Sequence, residues 1–250
     1  MEVTLPEKIL RRLADARHVV VLTGGGISAE IGFPSFAQAH IGEWAAYDVS
    51  ELATPQGFVR NPRLVWEWYD HRRRAASAIA PTGAYVVLAE LEQIYTTFTL
   101  VTQTIDGLHA RAGIQNLIEL NGSLHRGRCY DCGIIETAWD DDGDLPPRCP
   151  DCGGHLRPDV VMFGEGLAQQ PLRRAQHAVA ACDLLLCVGA IAAIEPVSSF
   201  PFAARRAGAL VLSVARDDDS IYTMLADYTI DQLPGSAMDL LLDQIRAARR

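Results

Sequence analysis

Hydrophobic residues fall into two alternating arrangements along this chain. A short unbroken apolar run at 19–22 is followed by further strand candidates, mostly apolar, at 98–101, 116–120, 184–188 and 210–214. Between them, helical spacing governs 6–17 (Pro6 at the start, then Ile9, Leu10 and Leu13), 81–93, 170–181 and 237–248. Runs of four or five apolar residues without alternation read as strands buried on both faces. Their interleaving with helices predicts an α/β fold, a Rossmann-like parallel sheet with helices on both faces.

Two stretches break the rhythm. Residues 39–79 are helical in pattern and rich in aromatics (Trp44, Trp66, Trp68, Tyr69), and 125–158 carry paired cysteines around an Asp/Gly/Pro loop at 140–147. The expected organisation is a Rossmann-like large domain of 1–38, 80–124 and 159–250. The helical insertion 39–79 and the ribbon 125–158 are expected to form a small domain.

The net charge of −9 offers no footprint for nucleic acid. The one basic run, Arg72-Arg73-Arg74, reads as a solvated helix face. No apolar run approaches the ~20 residues that span a bilayer, and the N-terminus lacks the basic-then-apolar order of a secretory signal. The expectation is a cytoplasmic protein with neither nucleic acid nor membrane as a partner.

Four of the six cysteines form C-x2-C-x16-C-x2-C: Cys129, Cys132, Cys149 and Cys152. That spacing matches a structural four-cysteine Zn2+ site, in which four thiolates leave no open coordination position. Two disulfides are the alternative, against which a reducing compartment and the glycines of the knuckles, Gly133 and Gly153, both argue. Cys182 and Cys187 flank a buried strand and read as core thiols.

The run at 19–22 ends in Thr23-Gly24-Gly25-Gly26-Ile27-Ser28-Ala29-Glu30, the strand, glycine turn and helix that open a dinucleotide-binding fold. Further on come Gln103-Thr104-Ile105-Asp106-Gly107-Leu108-His109, Leu120-Asn121-Gly122, the cysteine ribbon and Phe163-Gly164-Glu165. In this order the motifs closely resemble the sirtuins, NAD-dependent protein-lysine deacylases, from Val19 to about Ile245.

The resemblance implies NAD as cofactor, held by Gly24, Gly25, Gly26, Ala29, Phe36, Gln103, Ile105, Asp106 and Gly189. It implies catalytic positions at Gln103, Asp106 and residue 121, and an acylated protein lysine as substrate against Val160, Val161, Phe163 and Gly164. Tyr69 and Arg72 match a Tyr-x-x-Arg pair of the subclass that accepts succinyl and malonyl groups, in which a phenol and a guanidinium meet a small acidic acyl ligand. The same two residues can also be plain helix neighbours on a packed face.

Several positions depart from the family pattern. Asn121 stands where the family has its general-base His, and an amide has no usable pKa near neutrality. Ala37 replaces an Arg, Thr104 an Asn, Ala190-Ile191 a Thr-Ser pair, and Ala215 an Asn. Four lost polar contacts at about 1 kcal/mol each weaken NAD binding on the order of a thousandfold. Three functions follow: weak or absent NAD-dependent deacylation, a non-catalytic binder of acyl-lysine or a small ligand, or an enzyme turned to another nucleotide or small molecule. His109, His125 and His71 carry no case as a substitute base.

Overall fold

The computed structural model describes residues 5–34, 42–139, 143–190, 194–216 and 221–249. Phe36, Ala37, Ile191 and the loop tip 140–142 lie outside the described residues.

Helix α1 (Glu7–Asp15) leads into β1 (His18–Thr23), followed by α2 (Gly25–Glu30). Short helices α3 (Val49–Leu52) and α4 (Pro55–Arg60) precede the long α5 (Pro62–Ala78) and α6 (Ala84–Ile94). Then come β2 (Thr97–Thr102), α7 (Leu108–Arg111), β3 (Leu117–Glu119), β4 (Gly122–Cys129), β5 (Ile135–Glu136) and β6 (Leu156–Val160). The chain finishes through α8 (Gln169–Ala181), β7 (Leu184–Val188), α9 (Phe200–Arg206), β8 (Leu210–Val214), α10 (Ile221–Leu225), β9 (Tyr228–Ile230) and α11 (Pro234–Ala248). No helix among the described residues is long and apolar enough to cross a membrane.

Six strands form one parallel sheet in the order β3-β2-β1-β7-β8-β9. The predicted runs are its four inner strands and the edge strand β3, and successive side chains of the inner strands go to opposite layers. Val19, Val21, Leu184, Leu186, Leu210 and Leu212 pack with Leu13, Leu88, Met238 and Leu241 of α1, α6 and α11. Val20, Leu22, Leu185, Cys187 and Val211 pack with Ala175, Val179, Phe200 and Ala204 of α8 and α9. Continuous β-branched and leucine runs therefore occur because both faces are covered. The short edge strand β9, Tyr-Thr-Ile, has no such run and escaped the sequence reading.

The order reverses between β1 and β7, and there the turns that follow these strands touch. Gly26 N–H donates to Gly189 O at 2.9 Å. A Cβ on Gly24 or Gly26 would come within 2.9 Å of Ala190 or Gly189 backbone, and one on Gly189 within 2.5 Å of Ile27 N. The glycines at these places allow a main-chain contact that no side chain permits.

Strands β5, β4 and β6 form a separate antiparallel sheet. Against it lie α3 to α5, with Leu52, Phe58, Val65, Trp68 and Tyr69 packed on Leu124, Val160 and Met162. Asn61 caps α5 through Oδ1 to Leu64 N, and Pro62 occupies its first turn. The arginine run does not form one solvated face. Steps of 100° turn Arg72 inward to 4% exposure, Arg73 onto Asp70, and only Arg74 outward.

The four ribbon cysteines are free thiols whose sulfurs lie within 4.8 Å of one another. Cys129 and Cys152 approach to 3.4 Å and Cys132 and Cys149 to 3.7 Å, near the ~3.8 Å edge of a tetrahedron with 2.3 Å zinc–sulfur bonds. Gly133 and Gly153, at φ +76° and +75°, turn each knuckle, their N–H groups donating to Cys129 O and Cys149 O. Trp66 packs on Cys129 and Cys149, tying the cluster to α5. The donor set fits a closed structural zinc centre.

Two measurements check this account. Gly122→Ala, at φ +78° with Asp159 O only 1.9 Å from the new Cβ, should cost roughly 1–3 kcal/mol from backbone strain alone, whereas Gly25→Ala, which meets nothing, should stay within about 0.5 kcal/mol in urea denaturation. Atomic absorption should find zinc in the purified protein, and Cys149→Ser or a strong chelator should remove it and lower the thermal midpoint. Metal-free protein of unchanged stability would refute the zinc centre.

Candidate functional site

A cleft of about 540 Å³ opens where the sheet order reverses, walled on its far side by α5 and the segment that follows β6. Ligands bind at this place in open α/β sheets, because strand ends diverge there and leave backbone groups uncovered. β1 supplies Gly25 and Ser28 through its turn and α2, and β2 supplies 103–106. The β3–β4 link supplies Asn121, β6 and its following loop 160–167, and α5 Trp68, Tyr69 and Arg72. Of the glycines expected at the cofactor, Gly25 lines the cleft, while Gly24, Gly26 and Gly189 build the turn behind it. Ala29 is exposed and is not among the residues that line the cleft.

The polar floor centres on Asp106, which is fully buried. One carboxylate oxygen accepts from Ser28 Oγ at 2.6 Å and Tyr85 Oη at 3.3 Å, the other from Leu108 N at 2.8 Å and Thr104 Oγ1 at 3.5 Å. His125 Nε2 sits 3.0 Å from Asp106 O. His125 also packs on Gly107, where a Cβ would lie 2.5 Å from its ring. Thr104 turns its hydroxyl inward to Thr102 Oγ1 at 2.9 Å. Burial and the Asp106 charge raise the Tyr85 phenol far above its usual range, so it acts as a neutral donor. Sequence reasoning missed Tyr85 and Ser28 as members of this floor. The only signals were a tyrosine on the inner face of a helix and a serine behind the glycines.

His109 is buried against Tyr85, with ring centroids 4.6 Å apart, and its Nε2 lies 2.9 Å from Thr23 Oγ1. Burial pushes its imidazole down to about 3, so it is neutral and serves packing, as expected.

Asn121 and Gln103 meet in the cleft. Asn121 Nδ2 donates to Gln103 O at 2.8 Å, and Asn121 O accepts from Val161 N at 2.9 Å. The side-chain Oε1 of Gln103 is buried with no partner among the described residues. A buried acceptor without a donor costs about 1–3 kcal/mol, which a polar ligand in the cleft relieves. Gly25, open to the cleft, and Gln103 therefore fit the pyrophosphate and carboxamide sides of a nicotinamide dinucleotide. Ala190 and Ala215 are buried and apolar, so neither contributes a side-chain hydrogen bond.

The opposite end is built from α5 and the 160–164 segment. Tyr69, Arg72, Val160, Val161, Phe163 and Gly164 all line the cleft. The Arg72 guanidinium lies 5.2 Å over Phe33 and 5.3 Å over Trp68, and donates one long bond, 3.4 Å, to Pro34 O. Its Nε and Nη1 are buried with no partner among the described residues. Burial lowers Arg72 from its usual value, against the attraction of Tyr69 and Asp106. Burial likewise lifts the Tyr69 phenol well above its usual range. Phe163 is 53% exposed at the mouth, and its N–H donates to Ala53 O.

Comparison with known proteins agrees with this geometry. The Sir2 family model matches residues 24–196. NAD-dependent protein deacylase 2 of Pyrobaculum aerophilum is 40% identical over 238 residues, 95% of each chain. NAD-dependent protein deacylase 1 of Pseudomonas aeruginosa is 42% identical over 214 residues, 82% of this chain and 86% of that one. Among solved structures, a Sir2 homologue–NAD complex superposes with TM-score 0.89 at 36% identity, covering 99% of this chain and 96% of that chain. A Sir2 protein bound to acetylated peptide superposes with TM-score 0.84 at 25% identity, covering 99% and 100%. A glycine turn at the sheet reversal, a cysteine ribbon and a cleft between them thus coincide with sequence similarity along nearly the whole chain, which belongs to the Sir2 family.

Proposed function

We propose that the cleft receives an acidic acyl-lysine at its Tyr69–Arg72 end and NAD at its glycine end, and that deacylation is slow because residue 121 is an asparagine. The observation that carries the acyl half is the buried Arg72 guanidinium, with two nitrogens lacking partners among the described residues and a phenol one helical turn away. An acyl carboxylate supplies this guanidinium with a charge-assisted acceptor, which an acetyl group cannot offer.

For the nucleotide half, Gly25 backbone, Gln103 and Asp106 are the groups that would hold NAD, which supplies an activated ribose carbon with nicotinamide as leaving group. The chain's own task is to orient the acyl oxygen and to accept a proton from a ribose hydroxyl. Asn121 offers an acceptor oxygen but takes no proton, and losing a general base costs typically ~10²–10⁴-fold. The carboxylates that line the cleft give no ready substitute at this spot. Asp106 is enclosed by four donors, Glu165 is bound to Arg157, and Glu195 lies on the far rim, accepting from Ser198.

A second reading draws on the same asparagine: a binder of acyl-lysine or a small acidic ligand without turnover. Mass spectrometry with NAD and succinyl- or acetyl-lysine peptides should show slow release, favouring the succinyl peptide, and Arg72→Ala should abolish that preference. Turnover at rates ordinary for the family would remove the inference from Asn121. Calorimetry without NAD separates the two readings, since a pure binder takes the succinyl peptide and turns over none. Asn121→His alone should raise the rate only partly, and Asn121→His with Ala37→Arg further. A full gain from the single change would show that the remaining cofactor-side substitutions are neutral.

A further inference from the structure

Glu165 closes the Phe163-Gly164-Glu165 motif, yet neither the acyl end nor the nucleotide end of the cleft uses it. Its carboxylate meets Arg157 in a two-pronged pair, Nη1 to Oε1 at 2.6 Å and Nη2 to Oε2 at 2.8 Å. The same Oε2 accepts from Met162 N at 2.8 Å, and Glu165 N donates to Met162 O at 3.0 Å. Arg157 also reaches backward, Nη2 to Val160 O at 2.8 Å and Nε to Pro158 O at 3.3 Å. Its side chain is 9% exposed. One guanidinium thus spends its donors on both ends of the segment that carries Val161, Met162, Phe163 and Gly164. Burial alone would raise the Glu165 carboxyl, but Arg157 and the Met162 amide hold it below its usual range.

Two further main-chain bonds hold the segment, and Met162 is buried against the small sheet's core. Val161 N is held by Asn121 O and Phe163 N by Ala53 O, while Gly164 sits at φ +87° with open space where a Cβ would be. Tyr69 lies close enough to feel both charges of the pair.

We propose that Arg157, acting through Glu165, is a positioning residue that sets the 161–164 segment for an acylated peptide. This inference rests on the acyl-lysine reading of the cleft. The bidentate geometry is what does it: a lysine keeps the charge but cannot hold both carboxylate oxygens and Val160 O in one plane.

The test uses zinc-replete full-length protein and a fluorescent succinyl-lysine peptide, with backbone hydrogen exchange as a second readout. Arg157→Met should weaken peptide affinity about tenfold or more and raise exchange across 161–165, with exchange in β1 and zinc content unchanged. Arg157→Lys should recover part of the affinity, and Glu165→Gln should fall between them. If Arg157→Met does not fold, the lysine and glutamine variants carry the comparison. Unaltered loop exchange, or a loosened loop with unaltered peptide affinity, overturns the proposal. Failure of the unsubstituted protein to bind the peptide is seen before any variant is made, and it removes the acyl-lysine reading itself.

Discussion

The architecture depends on one contact between main chains, where the turn after β1 lies on the turn after β7. Gly24 and Gly26 approach Gly189 and Ala190 so closely that a Cβ on either would stand 2.9 Å from backbone. This contact sits at the reversal of strand order, the one place in the sheet where neighbouring connections depart to opposite layers. Because the two turns close on each other, Gly25 is left facing the cleft and α2 begins with its first amides beside it. Ser28, one turn along α2, then falls over Asp106. The floor of the site is thus assembled by a backbone contact before any side chain acts.

Two ionic groups buried in this cleft are treated in opposite ways. Asp106 has its carboxylate enclosed by hydroxyls and an amide, with His125 gripping its carbonyl, and it is part of the permanent structure. Arg72 lies over Phe33 and Trp68, which support its planar face, while its Nε and Nη1 have no partner among the described residues. Stacking offsets only part of the cost of taking a guanidinium from water. Among the described residues, then, the carboxylate of Asp106 is already supplied with donors while two nitrogens of Arg72 are not supplied with acceptors.

Much of the fold was legible because its signals are local. The inner strands are unbroken apolar runs, the cysteine pairs are spaced for one metal, and the glycine turn follows its strand directly. The site was legible where one segment carries the chemistry, as in 103–106 and at residue 121. What escaped depends on contacts distant in sequence. Tyr85 joins Asp106 across 21 residues, and Ser28 across 78. The Arg72–Arg74 run read as one polar face because composition ignores the turn of the helix. Ala29 was carried over with its motif, and it is exposed and outside the lining of the cleft.

The asparagine at 121 is followed by a glycine whose backbone is pressed onto Asp159 O and whose neighbour, Val161, bonds to Asn121 O. That stretch of chain is tied to β6 by strand pairing and by the Val161 bond. Residue 121 is therefore a fixed socket: its side chain can be exchanged while its anchor stays put. The side chain at this position can therefore change without the fold around it being rebuilt, and what such a change does to the chemistry is decided by the rest of the cleft.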